Sequence, residues 1–374
     1  MHVPFLYERT MNQKSFQTIQ EIGAFALKER LSVFTGANVE MDSISSVEGH
    51  IDTVTQIPPD HHSVCSASRL FLEGVHFDPT YTPFALLGNK MMIAAMSPLI
   101  ARRVKPTHMT VTVAVPNKYS VEMIEEFFSG ADQQCKNLDL VLTCADVTAS
   151  HQQFVVSVHC SGYEKILLSS DSGTNANRST EPGDLICVTG DLGAAFAGLR
   201  ILLREKKFWM EQPEQDFQPD FTGYEYVVGR QLHPENPLPF LLALQSTSIK
   251  PGIILPVTEG LIPTLKNLLR ISKRSVKVYS PAIPIAIETR AVADEMEEDA
   301  DKYAFYGGED FEFLFTLPDH VVPQLETEYH GFSVIGEVTK EDAELEDHGE
   351  GPVVVLYTGE GDRIIIEAEG NKRP

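Results

Sequence analysis

Apolar residues recur along the chain in two spacings, one typical of helices and one typical of strands. Between Phe16 and Leu31 they fall close to helical spacing, which predicts an amphipathic helix. In MTVTVAVP (109–116) they alternate with polar residues, which predicts a strand, and QFVVSVHCSGY (153–163) is a further strand candidate. Between these strands, VEMIEEFFSGADQQC (121–135) predicts a helix with Ser120 as its N-cap. The alternation predicts an α/β fold of the mixed, α+β kind.

A polar segment interrupts this pattern near the middle of the chain. Residues 169–183, SSDSGTNANRSTEPG, are rich in turn formers and offer little that a core could bury. A chain of 374 residues also exceeds one ordinary core, so two domains are expected. We expect a tail at 1–15, an N-terminal domain at 16–170, a C-terminal α/β domain at 180–345, and an acidic turn with a terminal β-hairpin at 346–374.

Charge and composition narrow the range of partners. The formal net charge of −23 repels phosphate backbones, so nucleic acid is not expected as a partner. An anionic small ligand would need a local positive group or a divalent cation. No apolar run approaches the roughly 20 residues of a membrane span, and the first residues lack the features of a signal peptide, so a cytoplasmic protein without a membrane partner is expected. The five cysteines contain no C-x-x-C pair and are expected to be buried apolar residues.

Seven segments occur in a recognisable order. They are LEGVHFD (72–78), LGNK (87–90), LTCADVT (142–148), CVTGDLGAAFAGL (187–199), RQLHPENP (230–237), TEGL (258–261) and GGEDFEFLFT (307–316). In this order the chain resembles the thiamine-monophosphate kinases of the aminoimidazole-ribonucleotide (AIR) synthetase-like superfamily, from about residue 16 to about residue 340. The resemblance implies a homodimer that pairs the sheets of two N-terminal domains, and a C-terminal α/β domain that closes over the nucleotide. It also implies ATP and Mg²⁺ as cofactors and transfer of the γ-phosphoryl of ATP to thiamine phosphate.

The magnesium ligands that the resemblance implies are mostly replaced in this chain. Mg²⁺ requires oxygen ligands, and the family supplies them from aspartates. The positions that match those aspartates, or a neighbouring Asn, carry Ser46, Val47, Arg69, Ala95, Pro98 and Pro256. Asp146 stands unaltered, and Glu259 replaces a further Asp. We expect the ordinary magnesium cluster to be absent, with Asp146 and Glu259 as the remaining metal candidates.

The same resemblance gives the candidate binding residues, although catalytic residues stay unknown. The nucleotide- or phosphate-binding candidates are Arg69, Gly74, His76 and Asp191, and the substrate-binding candidates are Gly307, Gly308, Glu309 and Asp310. A guanidinium at Arg69 could contact a phosphate directly, where an aspartate could do so only through a metal. Alternatively, Arg69 pairs with one of the chain's 53 acids.

Each of the other candidates also has a structural interpretation. His76 could be a hydrogen-bonded structural residue, and Asp191 could cap the following helix. Asp146 could cap a turn, and Glu309 and Asp310 could order the turn after two glycines. The helix end at Arg102, Arg103 and Lys105 is interpreted as an ordinary solvated surface.

Three functional hypotheses follow. The first is a working thiamine-phosphate kinase with a remodelled metal site. The second is a non-catalytic paralogue that keeps the fold and binds a nucleotide or another small phosphorylated ligand for regulation or as a scaffold. The third is another phosphate-handling reaction of the superfamily. The replaced aspartates favour the second hypothesis over the first, whereas the retained EGVHFD and GGEDFEF segments favour the first.

Overall fold

The computed structural model describes residues 17–18, 30, 63–164, 178–211, 219–339 and 351–368. The predicted helix at 16–31 lies almost wholly outside the described residues, as does the segment 43–50 that carries Ser46 and Val47. Helices and strands alternate through the described part, and the predicted mixed α/β fold is confirmed. The chain forms two compact units. Of the described residues, unit 1 comprises 17–18, 30, 63–100, 104–164, 202–211 and 219–221, and unit 2 comprises the others.

Unit 1 contains a four-stranded sheet with two helices. Its elements are β1 (Ser63–Leu72), α1 (Phe84–Ala101), β2 (Pro106–Pro116), α2 (Val121–Asn137), β3 (Val141–Ser150) and β4 (Val155–Glu164). The strand order is β1-β4-β2-β3, in which only the β2–β3 pair is parallel. Side chains alternate between two faces of these strands, and Val111, Val113 and Val158 are buried on one of them. Ser120 caps α2 as predicted, since its hydroxyl accepts from the Met123 N–H at 3.4 Å.

Two glycines allow α1 and α2 to pack closely. A Cβ atom at Gly88 would overlap the Phe127 carbonyl oxygen, and one at Gly130 would overlap the Ala85 carbonyl oxygen. The backbones therefore touch where these residues meet. By length and composition α1 could also cross a membrane, and it is the one described helix that could. Because 83% of that apolar stretch is buried inside the fold, α1 is accounted for as a core helix.

Unit 2 contains a seven-stranded mixed sheet. Its strands are β5 (Asp184–Thr189), β6 (Ile254–Val257), β7 (Val276–Tyr279), β8 (Glu312–Pro318), β9 (Phe332–Val338), β10 (Val353–Tyr357) and β11 (Arg363–Glu367). Its helices are α3 (Ala194–Glu211, of which the part from Leu202 is grouped with unit 1), α4 (Glu225–Leu232), α5 (Leu238–Ser246), α6 (Leu261–Ser272), α7 (Ile287–Glu295), α8 (Ala300–Tyr306) and α9 (Val322–Glu326). The strand order is β11-β10-β7-β9-β5-β8-β6.

The core of unit 2 lies between this sheet and α6. Leu261, Leu265 and Leu268 of α6 are fully buried and belong to one cluster with apolar residues of β5, β7 and β8. The β-branched runs near the end of the chain lie in β10 and β11, which pair antiparallel as a hairpin. Because β10 also pairs with β7 in parallel, the hairpin extends the main sheet of this unit.

Candidate functional site

The segment LEGVHFD forms a turn after β1, and contacts of the Glu73 carboxylate connect that turn to the rest of unit 1. Glu73 accepts hydrogen bonds from the Tyr119 hydroxyl at 2.7 Å and the Phe154 N–H at 2.8 Å, and it forms an ion pair with Lys118. Burial alone would raise the pKa of Glu73, but the bonds from Lys118, Phe154 and Tyr119 lower it below its usual value. These contacts stabilise the turn, so folding alone explains an acid at this position.

The two phosphate-binding candidates in this segment also have backbone roles. Gly74 has φ +78°, and a Cβ there would meet nothing within 4 Å, so backbone conformation rather than space favours glycine. His76 Nδ1 accepts from the Leu72 N–H at 3.1 Å, and the ring packs edge-on against Phe71 with centroids 5.9 Å apart. The accepting Nδ1 leaves Nε2 to carry the proton of the neutral ring. A ligand would therefore meet His76 through Nε2.

Asp78 closes the same segment with local contacts. Its Oδ1 accepts from the Thr80 N–H at 2.9 Å and from the Thr80 hydroxyl at 2.7 Å, and its other oxygen forms an ion pair with Lys206. Burial alone would raise the pKa of Asp78, but Lys206 and Thr80 lower it. Both acids of EGVHFD thus have partners within unit 1.

Arg69 and Asp146 lie on opposite faces of the unit 1 sheet. Arg69 pairs across the strands with the buried Val158, so its side chain starts from the buried face. Asp146 pairs with the exposed Thr112 and is itself exposed, so it belongs to the other face. Its Oδ1 accepts from the Val147 N–H at 3.0 Å. The structure does not bring these two candidates together on one face.

In unit 2 the Asp310 carboxylate lies at the N-terminus of α3. Its two oxygens accept from the Gly193 N–H at 2.8 Å and the Ala195 N–H at 3.1 Å, which satisfies two N–H groups that a helix start leaves unpaired. Asp310 is only 1% exposed. Burial raises its pKa to about 7, while the two N–H groups and Arg230 oppose that rise. Asp310 caps α3, a role for which Asp191 was the candidate from sequence.

Glu312 follows Asp310 by two residues and forms a buried ion pair with Arg230. The Arg230 Nη2 donates to Glu312 Oε1 at 2.9 Å, and the Thr189 hydroxyl donates to Glu312 Oε2 at 2.5 Å. Burial alone would lower the pKa of Arg230, but Glu312, Asp191 and Asp310 raise it. Burial also raises the pKa of Glu312. The pair satisfies charges that would be costly alone in a core.

Asp191 lies beside this pair in the turn before α3. Its Oδ2 accepts a hydrogen bond from the Tyr226 hydroxyl, and its backbone oxygen accepts from Arg230 Nη2 at 3.2 Å. The other carboxylate oxygen is buried without a hydrogen-bond partner, as are Nε and Nη1 of Arg230. Asp191 therefore belongs to a buried polar cluster that comprises Asp191, Tyr226, Arg230, Asp310 and Glu312.

The glycines of GGEDFEF permit a close approach of two loops. Gly308 has φ +81°, and a Cβ there would lie 2.7 Å from the Thr258 carbonyl oxygen. Glu309 follows with φ +62°, its N–H donates to Thr258 at 3.0 Å, and its carboxylate accepts from Gln231 at 3.0 Å. At Gly307 a Cβ would meet the Phe196 Cβ at 2.6 Å. Close backbone packing thus accounts for both glycines.

Within the described part of the chain, the residues at the family's magnesium-binding positions do not fit a cluster of magnesium ions. Pro98 lies inside α1 and Pro256 inside β6, and neither side chain, nor that of Arg69, supplies an anionic oxygen. Asp146 belongs to unit 1 and the exposed Glu259 to unit 2. Among the described residues, no group of three or more His, Cys, Asp or Glu side chains is arranged to hold a metal ion.

Comparison with known proteins finds relatives that match most of this chain. The family of AIR synthase related proteins, N-terminal domain, matches residues 50–163. The thiamine-monophosphate kinase of Aquifex aeolicus (strain VF5) is 25% identical over 305 residues, which cover 80% of this chain and 87% of that protein. Residues 50–163 therefore resemble the AIR synthase related proteins, and the similarity to the kinase extends over most of the chain. Among curated proteins the chain is similar to the thiamine-monophosphate kinases of several organisms.

Two solved structures have the same fold. AaThiL complexed with AMPPCP and TMP superposes with a TM-score of 0.63 at 21% identity, covering 87% of this chain and 95% of that chain. The hydrogenase maturation protein HypE in complex with ATP superposes with a TM-score of 0.64 at 13% identity, covering 96% and 98%. At these identities the likeness shows the fold alone.

Several residues of the buried cluster were not singled out from the sequence. Arg230 stood in the quoted segment RQLHPENP and Glu312 in GGEDFEFLFT, but Tyr226 gave no signal of its own. The interpretation of Arg103 as part of a solvated helix end is wrong, since it is 5% exposed and has φ +62°. Its Nε and Nη1 atoms are buried without hydrogen-bond partners. Neither feature has a local sequence signature, because both depend on packing.

Proposed function

We propose that this protein binds a nucleotide or another small phosphorylated ligand, and that phosphoryl transfer to thiamine phosphate is weak or lost. The observation that carries the proposal is the chemistry at three positions. Arg69 in β1, Pro98 in α1 and Pro256 in β6 stand where the family resemblance places magnesium-binding aspartates. Phosphoryl transfer depends mainly on metal ions and positioning, so their loss removes the charges that clamp the transferred group.

The retained segments are compatible with loss of catalysis. In EGVHFD, Glu73 and Asp78 form hydrogen bonds that stabilise unit 1. In GGEDFEF, Asp310 and Glu312 form a hydrogen bond and an ion pair that stabilise unit 2. A chain without kinase activity would still need them in order to fold. Their presence therefore supports the working-kinase hypothesis less than it did from the sequence alone. No observation favours another superfamily reaction, because the likeness to HypE shows only a shared fold.

Turnover of thiamine phosphate tests the proposal. Purified protein with ATP, magnesium and thiamine phosphate should form thiamine diphosphate far below ordinary kinase rates of roughly 1 to 100 per second. The matched control is the Asp146→Ala variant, which removes the one unaltered family aspartate. Formation of thiamine diphosphate at an ordinary rate, abolished in that variant, would contradict the proposal and establish a remodelled kinase.

The ligand is proposed to bind through its phosphates. Support comes from relatives that were solved with AMPPCP and TMP or with ATP, and from the positive charge at Arg69. Gly74, His76 and Asp191 remain further candidates for phosphate contacts, and Gly307, Gly308, Glu309 and Asp310 for substrate contacts. A guanidinium can bind a phosphate without a metal, so binding there should need little magnesium.

Calorimetry with ATP separates these possibilities. Binding that persists in EDTA and is lost in Arg69→Ala would support direct recognition by the guanidinium. Binding that requires magnesium and is unaffected by this substitution would reject a role for Arg69. In that case Asp146→Ala and Glu259→Ala identify whether either remaining acid holds the metal.

A homodimer and a cytoplasmic location complete the proposal. The supporting feature for the dimer is the open face of the unit 1 sheet, defined here by Ser68, Leu70, Thr112, Ser157 and His159. Leu70 is 56% exposed on this face, and the adjacent Ser68 and Ser157 are small and neutral. Such a face suits association with a second copy, as the family resemblance implies.

A further inference from the structure

Strand β11 forms one end of the unit 2 sheet. Within the described residues it pairs with β10 and with no other strand. Its sequence, RIIIE, places three apolar residues between one base and one acid, and Ile364 is 48% exposed. An apolar edge strand with free backbone groups is a template for pairing with another chain.

The hairpin register determines which backbone groups face outward. The Thr358 N–H donates to the Asp362 carbonyl at 2.9 Å, and paired residues of an antiparallel ladder alternate between bonded and non-bonded positions. Because Thr358 and Asp362 form a bonded pair, the next bonded pairs in the register are Leu356–Ile364 and Val354–Ile366. The backbone groups of Ile364 and Ile366 therefore point toward β10. The N–H and C=O groups of Arg363, Ile365 and Glu367 consequently point away from the sheet.

We propose that β11 pairs antiparallel with β11 of a second copy of this chain, about a two-fold axis at Ile365. This axis makes Ile365 face Ile365, a position where the outward N–H and C=O groups of both copies can bond. Arg363 then faces Glu367 of the second copy, also at an outward-bonding position. Ile364 faces Ile366 of the second copy on the other side of the sheet.

The charge pattern favours a second copy over an unrelated strand. In an antiparallel pair, the residue opposite Arg363 should be acidic and the residue opposite Glu367 should be basic. A second copy of RIIIE meets both requirements, because its Glu367 faces Arg363 and its Arg363 faces Glu367. Opposite charges at facing positions stabilise a strand pair, and like charges destabilise it. The exposed part of Ile364 would also be covered by an apolar partner. This interface is separate from the open face of unit 1 and does not depend on the proposed function.

Charge reversal tests the pairing in the full-length chain. Arg363→Glu places Glu opposite Glu, and Glu367→Arg places Arg opposite Arg, so each single variant should weaken the association by about tenfold. The double variant Arg363→Glu/Glu367→Arg restores opposite charges and should associate like the wild type. An equimolar mixture of the two single variants should associate as well, because their strands complement each other. Sedimentation equilibrium at about 150 mM salt measures all of these constants, with Leu70→Ser in every chain so that the open face of unit 1 does not contribute.

A cysteine cross-link gives a second readout that does not depend on charge. Two copies of Ile365→Cys would face each other at about 5.5 Å between Cα atoms, within disulfide range, and should form a covalent dimer on oxidation. The matched control is Arg363→Cys, because its two copies lie four residues apart in the proposed register and cannot bridge. The proposal is overturned if association is indifferent to the single charge reversals, if the double variant fails to recover, or if the two cysteine variants cross-link equally.

Discussion

Asp310 shows how a single buried acid couples stability to pH. Its carboxylate accepts from two N–H groups of the α3 start, yet it is 1% exposed and its pKa is raised to about 7. In an unfolded chain an aspartate titrates near its model value of 3.8. Because the folded-state pKa is the higher one, the stabilisation from Asp310 is fully present below about pH 4 and is lost as pH rises to about 7.

Replacing Asp310 by Asn should therefore change the pH dependence of unfolding. At about pH 5 the folded-state carboxyl is protonated and both of its oxygens can still accept, whereas the amide nitrogen of asparagine cannot, so Asp310→Asn should lower the free energy of unfolding by about 1–3 kcal/mol. The deficit should shrink by about 2 kcal/mol by about pH 8, because only the wild type loses stability over that range. Urea unfolding at both pH values measures it. The exposed Asp294→Asn is the matched control, and parallel pH profiles for wild type and Asp310→Asn would contradict the argument.

At the scale of elements, the local sequence pattern correctly predicted those helices, strands and turns whose structure depends on residues close in sequence. The alternating residues of β2, the cap at Ser120 and the paired β-branched runs of β10 and β11 lie where the sequence placed strands, helix start and hairpin. Long-range partners could not be predicted. Nothing local indicates that Asp310 caps a helix 115 residues earlier, because that contact follows from the strand order of unit 2. The burial of Arg103 was missed for the same reason.

The contact between α1 and α2 gives a test at this scale. An added methyl at Gly130 would overlap the Ala85 backbone, which no rotamer change can relieve, so Gly130→Ala should destabilise the protein by about 2 kcal/mol or more. Gly229 lies in helix α4 and a Cβ there would meet nothing within 4 Å, so Gly229→Ala should stabilise by about 0.5–1 kcal/mol. Thermal unfolding of the two variants compares the same chemical change. Shifts of the same sign would refute the close helix contact.

At the scale of the whole molecule, the net charge opposes dimer formation, whereas the open face of unit 1 favours it. A formal charge of −23 per chain makes two copies repel each other, and the repulsion is long-ranged at low salt. The open face of unit 1 carries mostly uncharged serine, threonine and leucine side chains, together with His159 and the exposed carboxylate of Asp146. We therefore expect the proposed dimer to tighten when salt rises from about 10 mM to about 150 mM, because screening removes the repulsion and leaves the apolar contact.

A neutral substitution on the open face tests the dimer without altering this repulsion. Leu70 is 56% exposed in the single chain and would be covered in a dimer, so Leu70→Ser should raise the dimer dissociation constant by at least about tenfold, since two leucines are lost for each interface. Leu242 in α5 is 50% exposed and belongs to unit 2, so Leu242→Ser makes the same chemical change outside that face. Sedimentation velocity of the full-length proteins measures both constants. A wild type that stays monomeric at every salt concentration, or equal effects of the two substitutions, would exclude the open face as the dimer interface.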